Sequence, residues 1–227
     1  LDKQVLKYFK IKPKKKVNLK PWKKIANTVI KNKKEVKIAI IGKYVNLKDA
    51  YKSLDEALIH GGVKNNVKVN LIRIESDKLK SNEVRKKIRN ASGILIPGGF
   101  GKRGTEGKIS AINYARRNKV PFLGICFGMQ MAVIEFARNV LKLKKAGSTE
   151  LDRSCFPVIG LIHEWNKNGK IIRGTNKDLG GTMRLGLYEA KLKHNSLIKS
   201  IYKSSFIRER HRHRYEVNIN IKEQFEK

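Results

Sequence analysis

The chain has 227 residues, 40% of them hydrophobic, enough for one α/β core with a short appendage. Its net charge is +33, from 52 Lys and Arg against 19 Asp and Glu. No secretory leader is legible, and the most apolar stretch is interrupted by Gln130 and Glu135, which excludes a membrane-spanning helix there. The two cysteines, Cys126 and Cys155, have no metal-like spacing and fit a reducing, cytoplasmic setting. The first residue, Leu1, fits a chain cut from a longer protein.

A charge of this size fits polyanion binding. Here the excess is spread along the chain, and lysine outnumbers arginine. No aromatic-interleaved basic motif or nucleic-acid module is legible, so the charge reads as decoration of solvated faces.

Residues 1–34 form a basic lead, "KIKPKKK" then "NLKPWKKIANTVIKN", with Asn18 as the cap of a short helix carrying Pro21 and Trp22. They read as an interdomain linker or tail, followed by one domain over 35–227. "VKIAIIGKY" is a continuous apolar run, as in a buried parallel strand. "DAYKSLDEALIHGG" has helical spacing and a glycine stop, and "VKVNLIRI" alternates like a strand. A short helix in "NEVRKKIRN" precedes "GILIPGGFG", a strand entering a glycine loop. The helix "EGKISAINYARRN", the strand "VPFLGI" and the helix "MQMAVIEFARNVLKLK" follow. Four strand–helix alternations predict an open, mostly parallel sheet with helices on both faces.

After Gly147 the pattern becomes β-rich. "FPVIGLIHEW", "GKIIRG", "GTMRLGLYEAKL" and "FIRERHRHRYEVN" read as strands that extend or cover the sheet, with Asn168-Gly169 as a hairpin turn.

Gly124-Ile125-Cys126-Phe127-Gly128 stands between a predicted strand and helix, which is the pattern of a nucleophile elbow. The turn forces a strained backbone on the nucleophile, and glycines leave room on either side. The helix N-terminus favours thiolate over thiol. The Phe127 N–H faces a developing oxyanion, and Gly99, at the end of an adjacent strand, supplies a second donor. The competing reading of Cys126 is a small buried core residue.

The segments "GKYVNLKDAYKSLDEALIHGG", "PGGFGKRGTEGK", "GICFGMQMAVIEFARNV", "GSTE", "DLGGTMRLG" and "ERHRHRYEVN" resemble, in order, the class I glutamine amidotransferases. Within them they resemble the glutaminase domains of CTP synthases. The resemblance implies a flavodoxin-like sheet with a β-rich C-terminal extension. It also implies that Cys126 attacks the side-chain amide of L-glutamine, forms a glutamyl thioester and releases ammonia. Gly99 and Phe127 then form the oxyanion hole. Gly99, Phe127, Gly128, Met129, Gln130, Glu150 and Arg214 bind glutamine, the last suited to a carboxylate by its bidentate fork. Without the resemblance, Arg214 reads as one more cation on a basic strand and Glu150 as a solvated loop carboxylate. The resemblance further implies a synthetase domain, absent from this chain, that uses ATP, Mg²⁺ and UTP. It implies GTP as allosteric activator, with Lys43, Phe100 and Arg103 in loops near the effector, and no cofactor in this domain. It implies a homotetramer for the full-length protein; the fragment alone is expected to be a monomer.

One feature of the family is missing. A cysteine amidase needs a base and a carboxylate to orient it, in this family the His and Glu of a His-Pro-Glu motif. No His-Pro-Glu occurs in the chain. Of the histidines, His60 ends a helix, His163 lies mid-strand, His194 lies in a turn, and His211 and His213 share one strand face. The resemblance makes the last two structural. The expectation is therefore a domain incomplete at its C-terminus and inactive alone. The reading from a different class is a non-catalytic basic module binding RNA or an acidic partner. A further one, another thiol enzyme on the same sheet, also lacks a base.

Overall fold

The computed structural model describes residues 2–12, 18–31, 34–47, 49–161, 164–167, 170–173 and 183–227, with backbone alone for 164–167 and 170–173. Two helices lead, α1 (Asp2–Tyr8) and α2 (Lys20–Lys31), and neither contains a buried residue. The Asn18 side chain accepts from the Lys20 N–H at 3.1 Å at the start of α2, as its sequence position predicts.

The central layer runs β1 (Glu35–Gly42), α3 (Lys52–Lys64), β2 (Lys68–Glu75), α4 (Val84–Ile88), β3 (Gly93–Ile96), α5 (Thr105–Arg117), β4 (Phe122–Gly124) and α6 (Phe127–Asn139). The strands form one parallel sheet in the order β2-β1-β3-β4. The chain moves from β1 outward to β2, then back across to β3 and β4. Right-handed crossovers therefore put α3 on one face and α4 and α5 on the other. The middle of the sheet is covered on both sides: Ala39, Ile40, Ile41, Ile94, Leu95 and Ile96 are all buried. This is why those strands read as unbroken apolar runs.

The remaining strands are β5 (Ala146–Ser148), β6 (Phe156–Leu161), β7 (Glu164–Lys167), β8 (Lys170–Arg173) and β9 (Arg184–Lys191). The helix α7 (Leu197–Tyr202), the strands β10 (Phe206–His213) and β11 (Tyr215–Val217), and the helix α8 (Lys222–Glu226) complete the chain. They build three small sheets: β11-β6-β5, β10-β9 and β7-β8. The first of these packs on α6, through Ala146, Val158 and Ile159 in the common core with Met131, Ile134 and Ala137. Among the described residues, the β11-β6-β5 sheet thus covers α6 and is separate from the parallel sheet.

Several boundaries differ from the sequence reading. Gly61 and Gly62 do not stop α3, which runs on to Lys64. Gly62 is small because β2 lies against it: an added Cβ would stand 2.6 Å from Val69 Cγ2. Helix α6 begins two residues earlier than predicted and ends at Asn139. "FIRERHRHRYEVN" is two strands in two sheets, broken at Arg214. In "FPVIGLIHEW", β6 and β7 likewise pair different partners, and His163 lies outside the described residues. Lys167 pairs Lys170 across β7 and β8, consistent with a hairpin, although Asn168-Gly169 themselves are outside the described residues.

Candidate active site

The sheet order turns back between β1 and β3, and in open α/β sheets ligands bind outside the carboxyl ends of the strands at such a point. Lys43 leaves β1 there, the loop Pro97 to Gly101 leaves β3, and Cys126 leaves β4.

Cys126 sits at φ 51°, ψ −106°, a left-handed conformation that L-residues avoid. The surroundings impose it. Ile125 N–H donates to the Ile96 carbonyl at 3.0 Å, tying the turn to β3. Gly128 N–H donates to Ile125 and Gln130 N–H to Cys126, starting α6 at once. Both flanking glycines are required by close approach. A Cβ on Gly124 would stand 2.6 Å from the Gly128 carbonyl carbon, and one on Gly128 would stand 2.1 Å from the Ile96 oxygen. Helix and strand therefore meet backbone to backbone, and the thiol is left exposed above them.

The glycine loop lies alongside. The Cβ position of Gly98 is 3.6 Å from Cys126 Cβ, and that of Gly99 is 3.9 Å from the Phe127 ring. Glu150, just after β5, accepts from the Gly101 N–H at 2.7 Å and fixes the far end of the loop. Lys43, itself buried, donates to the carbonyls of Phe100 and Gly101 and fixes it from the β1 side. Arg103 pairs with Asp77 at 2.8 Å, and Phe100 is exposed.

Charge at the thiol runs against the simple helix-dipole expectation. Partial burial pushes the Cys126 thiol up, the Phe127 N–H pulls it down, and the carboxylate of Glu150 pushes it up again. The net direction is upward, so the neutral thiol is favoured until a base takes its proton. Among the described residues, no histidine is one of the groups acting on it.

Gln130 is buried, and its Nε2 donates to the Tyr215 carbonyl at 2.9 Å. This bond brings the bend at Arg214 to α6. Arg214 is half-buried and its guanidinium has no hydrogen bond or ion pair among the described residues. Met129 is exposed, whereas Gly128 is buried against β3.

Two features escaped the sequence reading. Lys108 is 1% exposed, with its Nζ 4.9 Å from the centre of the Phe127 ring, and Lys43 Nζ is 5.5 Å from the same ring. The signal was present: Lys108 falls at helical spacing among Thr105, Ile112 and Ala115 on the buried face of α5. The second is the direct contact of His211 Nδ1 with His213 Nε2 at 2.9 Å. Their shared strand face was legible, but not that the rings meet.

The family model "Glutamine amidotransferase class-I" matches residues 46–227. The chain belongs to this family. It is 70% identical over 227 residues to the CTP synthase of Pelagibacter ubique (strain HTCC1062), with 100% of this chain and 42% of that protein covered. It is 50% identical over 229 residues to the CTP synthase of Gluconobacter oxydans (strain 621H), again with 42% of that protein covered. The chain thus spans about two-fifths of the length of these relatives. Among solved structures it resembles the glutaminase domain of Trypanosoma brucei CTPS with bound acivicin. The TM-score is 0.73 at 35% identity, covering 84% of this chain and 71% of that one.

Proposed function

We propose that this chain is the glutamine-hydrolysing part of a CTP synthase, with residues 35–227 as the amidotransferase domain and residues 1–34 as the connection to the synthetase part. The observation that carries the reading is Cys126 held at φ 51° with the Gly98-Gly99 loop packed against it.

In this reading Cys126 Sγ attacks the side-chain amide carbon of glutamine. The carbonyl oxygen takes up negative charge and receives the Gly99 and Phe127 N–H groups. Collapse of the tetrahedral adduct breaks the C–N bond, and the departing nitrogen takes a proton and leaves as ammonia. Water then cleaves the glutamyl thioester, giving glutamate and the free thiol. Gly128, Met129, Gln130 and Glu150 shape the glutamine site, with Glu150 facing the α-amino group and the unpartnered Arg214 taking the α-carboxylate.

The proton of the thiol must go to a base and return to the leaving nitrogen. We assign that role to a His–Glu pair supplied from outside these 227 residues, because no His-Pro-Glu occurs in the sequence. Strand β4 offers a place for such a segment. It is an edge among the described residues, with Leu123 and Ile125 exposed beside Cys126. Ammonia passes to a synthetase domain that aminates UTP with ATP and Mg²⁺ in the cytoplasm, with GTP as activator felt at Lys43, Phe100 and Arg103. The assembled protein is a homotetramer.

The test is covalent labelling with acivicin, read by peptide mass in a protein that carries the His–Glu pair. The expected result is one adduct on Cys126, lost in C126A. An adduct elsewhere, or none, overturns the assignment. The 227-residue chain by itself is expected to release little ammonia from glutamine, and turnover at an ordinary enzymatic rate would place the base within it.

A further inference from the structure

Arg214 stands where two sheets meet. Strand β10 ends at His213 on the β9 side, and β11 begins at Tyr215 on the β6 side. Arg214 is therefore not set by either ladder, and its guanidinium is held by no hydrogen bond or ion pair among the described residues. What fixes the bend lies on either side of it. The Tyr215 carbonyl receives the Gln130 Nε2–H at 2.9 Å and stands 3.3 Å from His213 Nδ1.

Hydrogen-bond chemistry determines how the rings are protonated. A carbonyl only accepts, so His213 Nδ1 carries its hydrogen toward Tyr215. In the neutral ring Nε2 is then an acceptor, and its neighbour at 2.9 Å, His211 Nδ1, must donate. Burial pushes His213 toward this neutral form, as do the nearby His211 and Arg184; Glu216 and the bond to the Tyr215 carbonyl oppose them, and the net direction is toward the neutral ring. The outer ring is buttressed in turn: Tyr188 meets His211 edge-on at 5.3 Å, and Arg184 lies over Tyr188 and pairs with Glu216 at 3.0 Å. A directed chain thus runs from His211 through His213 to the Tyr215 carbonyl, which Gln130 of α6 also grips.

We propose that His213, oriented by His211, is the positioning residue for Arg214, because its Nδ1–H and Gln130 share the Tyr215 carbonyl and so set the angle at which Arg214 faces the site. This rests on Arg214 being the clamp for the carboxylate of glutamine. The β9–β10 ladder already joins eight residue pairs, from Phe206 with Lys191 to His213 with Arg184. Beyond the contact of His211 with Tyr188 on β9, what the two rings add is a fixed kink after the ladder.

The two ring nitrogens can be tested separately, since Asn mimics Nδ1 and Gln mimics Nε2. The experiment follows alkylation of Cys126 by iodoacetamide in this chain, read by peptide mass, with and without L-glutamine. Iodoacetamide lacks a carboxylate and reports the thiol alone; protection by glutamine reports the clamp. The expected result is that H213N, which keeps the donor to Tyr215, binds glutamine within about threefold of wild type. H213Q, which loses that donor, needs about tenfold more glutamine for the same protection. Both are expected to show the wild-type alkylation rate when glutamine is absent. Equal protection in all three proteins overturns the proposal and leaves the glutamine site standing. A changed rate without glutamine in H213Q also overturns it, since the ring would then be supporting the elbow. No protection in wild type overturns the glutamine reading itself, and the proposal with it.

Discussion

Lys108 holds its ammonium 4.9 Å from the centre of the ring of Phe127, the residue that follows Cys126. The side chain is 1% exposed, and its pKa is lowered from an ordinary 10.5 to about 8, by burial first and then by the cations of Lys43 and Arg103. A cation–π contact offsets part of the cost of burying the charge. The sign of the linkage is definite. The unfolded chain binds this proton more tightly than the folded one, so folding is penalised below about 8 and relieved as pH rises toward 10.5. The gap is worth about 3 kcal/mol. Urea unfolding of wild type and K108M between pH 7 and 10 is expected to show an additional rise in the stability of wild type that K108M lacks. Parallel curves would show that Lys108 is not titrating in the folded chain.

The elbow makes a second, steric expectation. A Cβ at Gly128 would meet the Ile96 carbonyl oxygen at 2.1 Å, main chain that cannot move without breaking the sheet. A Cβ at Gly99 meets nothing nearer than the Phe127 ring at 3.9 Å, an ordinary contact. G128A is therefore expected to lose about 3 kcal/mol or fail to fold, while G99A unfolds within about 1 kcal/mol of wild type. Under the proposed mechanism, an effect of G99A on catalysis in the assembled enzyme is then a local one. Equal stability of the two variants would sink the close-approach argument.

The parallel sheet was legible because β1 and β3 carry continuous apolar runs, β2 alternates, and the helices between them have a 3.6-residue period. Cys126 was legible because the elbow needs glycines at fixed offsets in one short segment. The break at Arg214 was not, because "RHRHRYEVN" alternates smoothly, and what divides it is the pairing of His213 with Arg184 and Tyr215 with Leu161, far away in sequence. The glycines of α3 misled for a related reason: a glycine demanded by a neighbouring strand looks, in one dimension, like a helix stop. Local chemistry shows in a sequence, whereas contacts between distant segments show only as unexplained residues such as Lys108.

Helix α6 is anchored through a buried carboxylate. Glu135 is 1% exposed and accepts from Arg116 at 2.8 and 2.9 Å, from Asn113 at 2.7 Å and from Asn139 at 3.1 Å. Burial pushes the carboxyl up, but these donors outweigh it and leave it below its ordinary 4.5. The associated stability is present above 4.5 and lost as pH falls through the depressed folded value. R116L leaves the charge facing only amides and is expected to cost about 3 kcal/mol, with much of that recovered in R116L/E135L. A loss below about 0.5 kcal/mol in R116L, measured by urea unfolding, would mean that the pair contributes nothing to holding α6.

Glu150 has two opposed effects on the site, and one substitution separates them. Its Oε1 accepts from Gly101 at 2.7 Å and so supports the glycine loop, while its charge pushes the Cys126 thiol upward. E150Q keeps an acceptor for Gly101 and removes the charge. The thiol is then easier to ionise, and iodoacetamide is expected to alkylate Cys126 about threefold faster near neutral pH. Under the proposed function, the same change removes the partner of the substrate's α-amino group, so glutamine should protect Cys126 less well even as the thiol becomes more reactive. A thiol more reactive yet less protected would mark Glu150 as a carboxylate kept for binding at the expense of the nucleophile. Slower alkylation would instead show that the carboxylate's main role is to hold the loop.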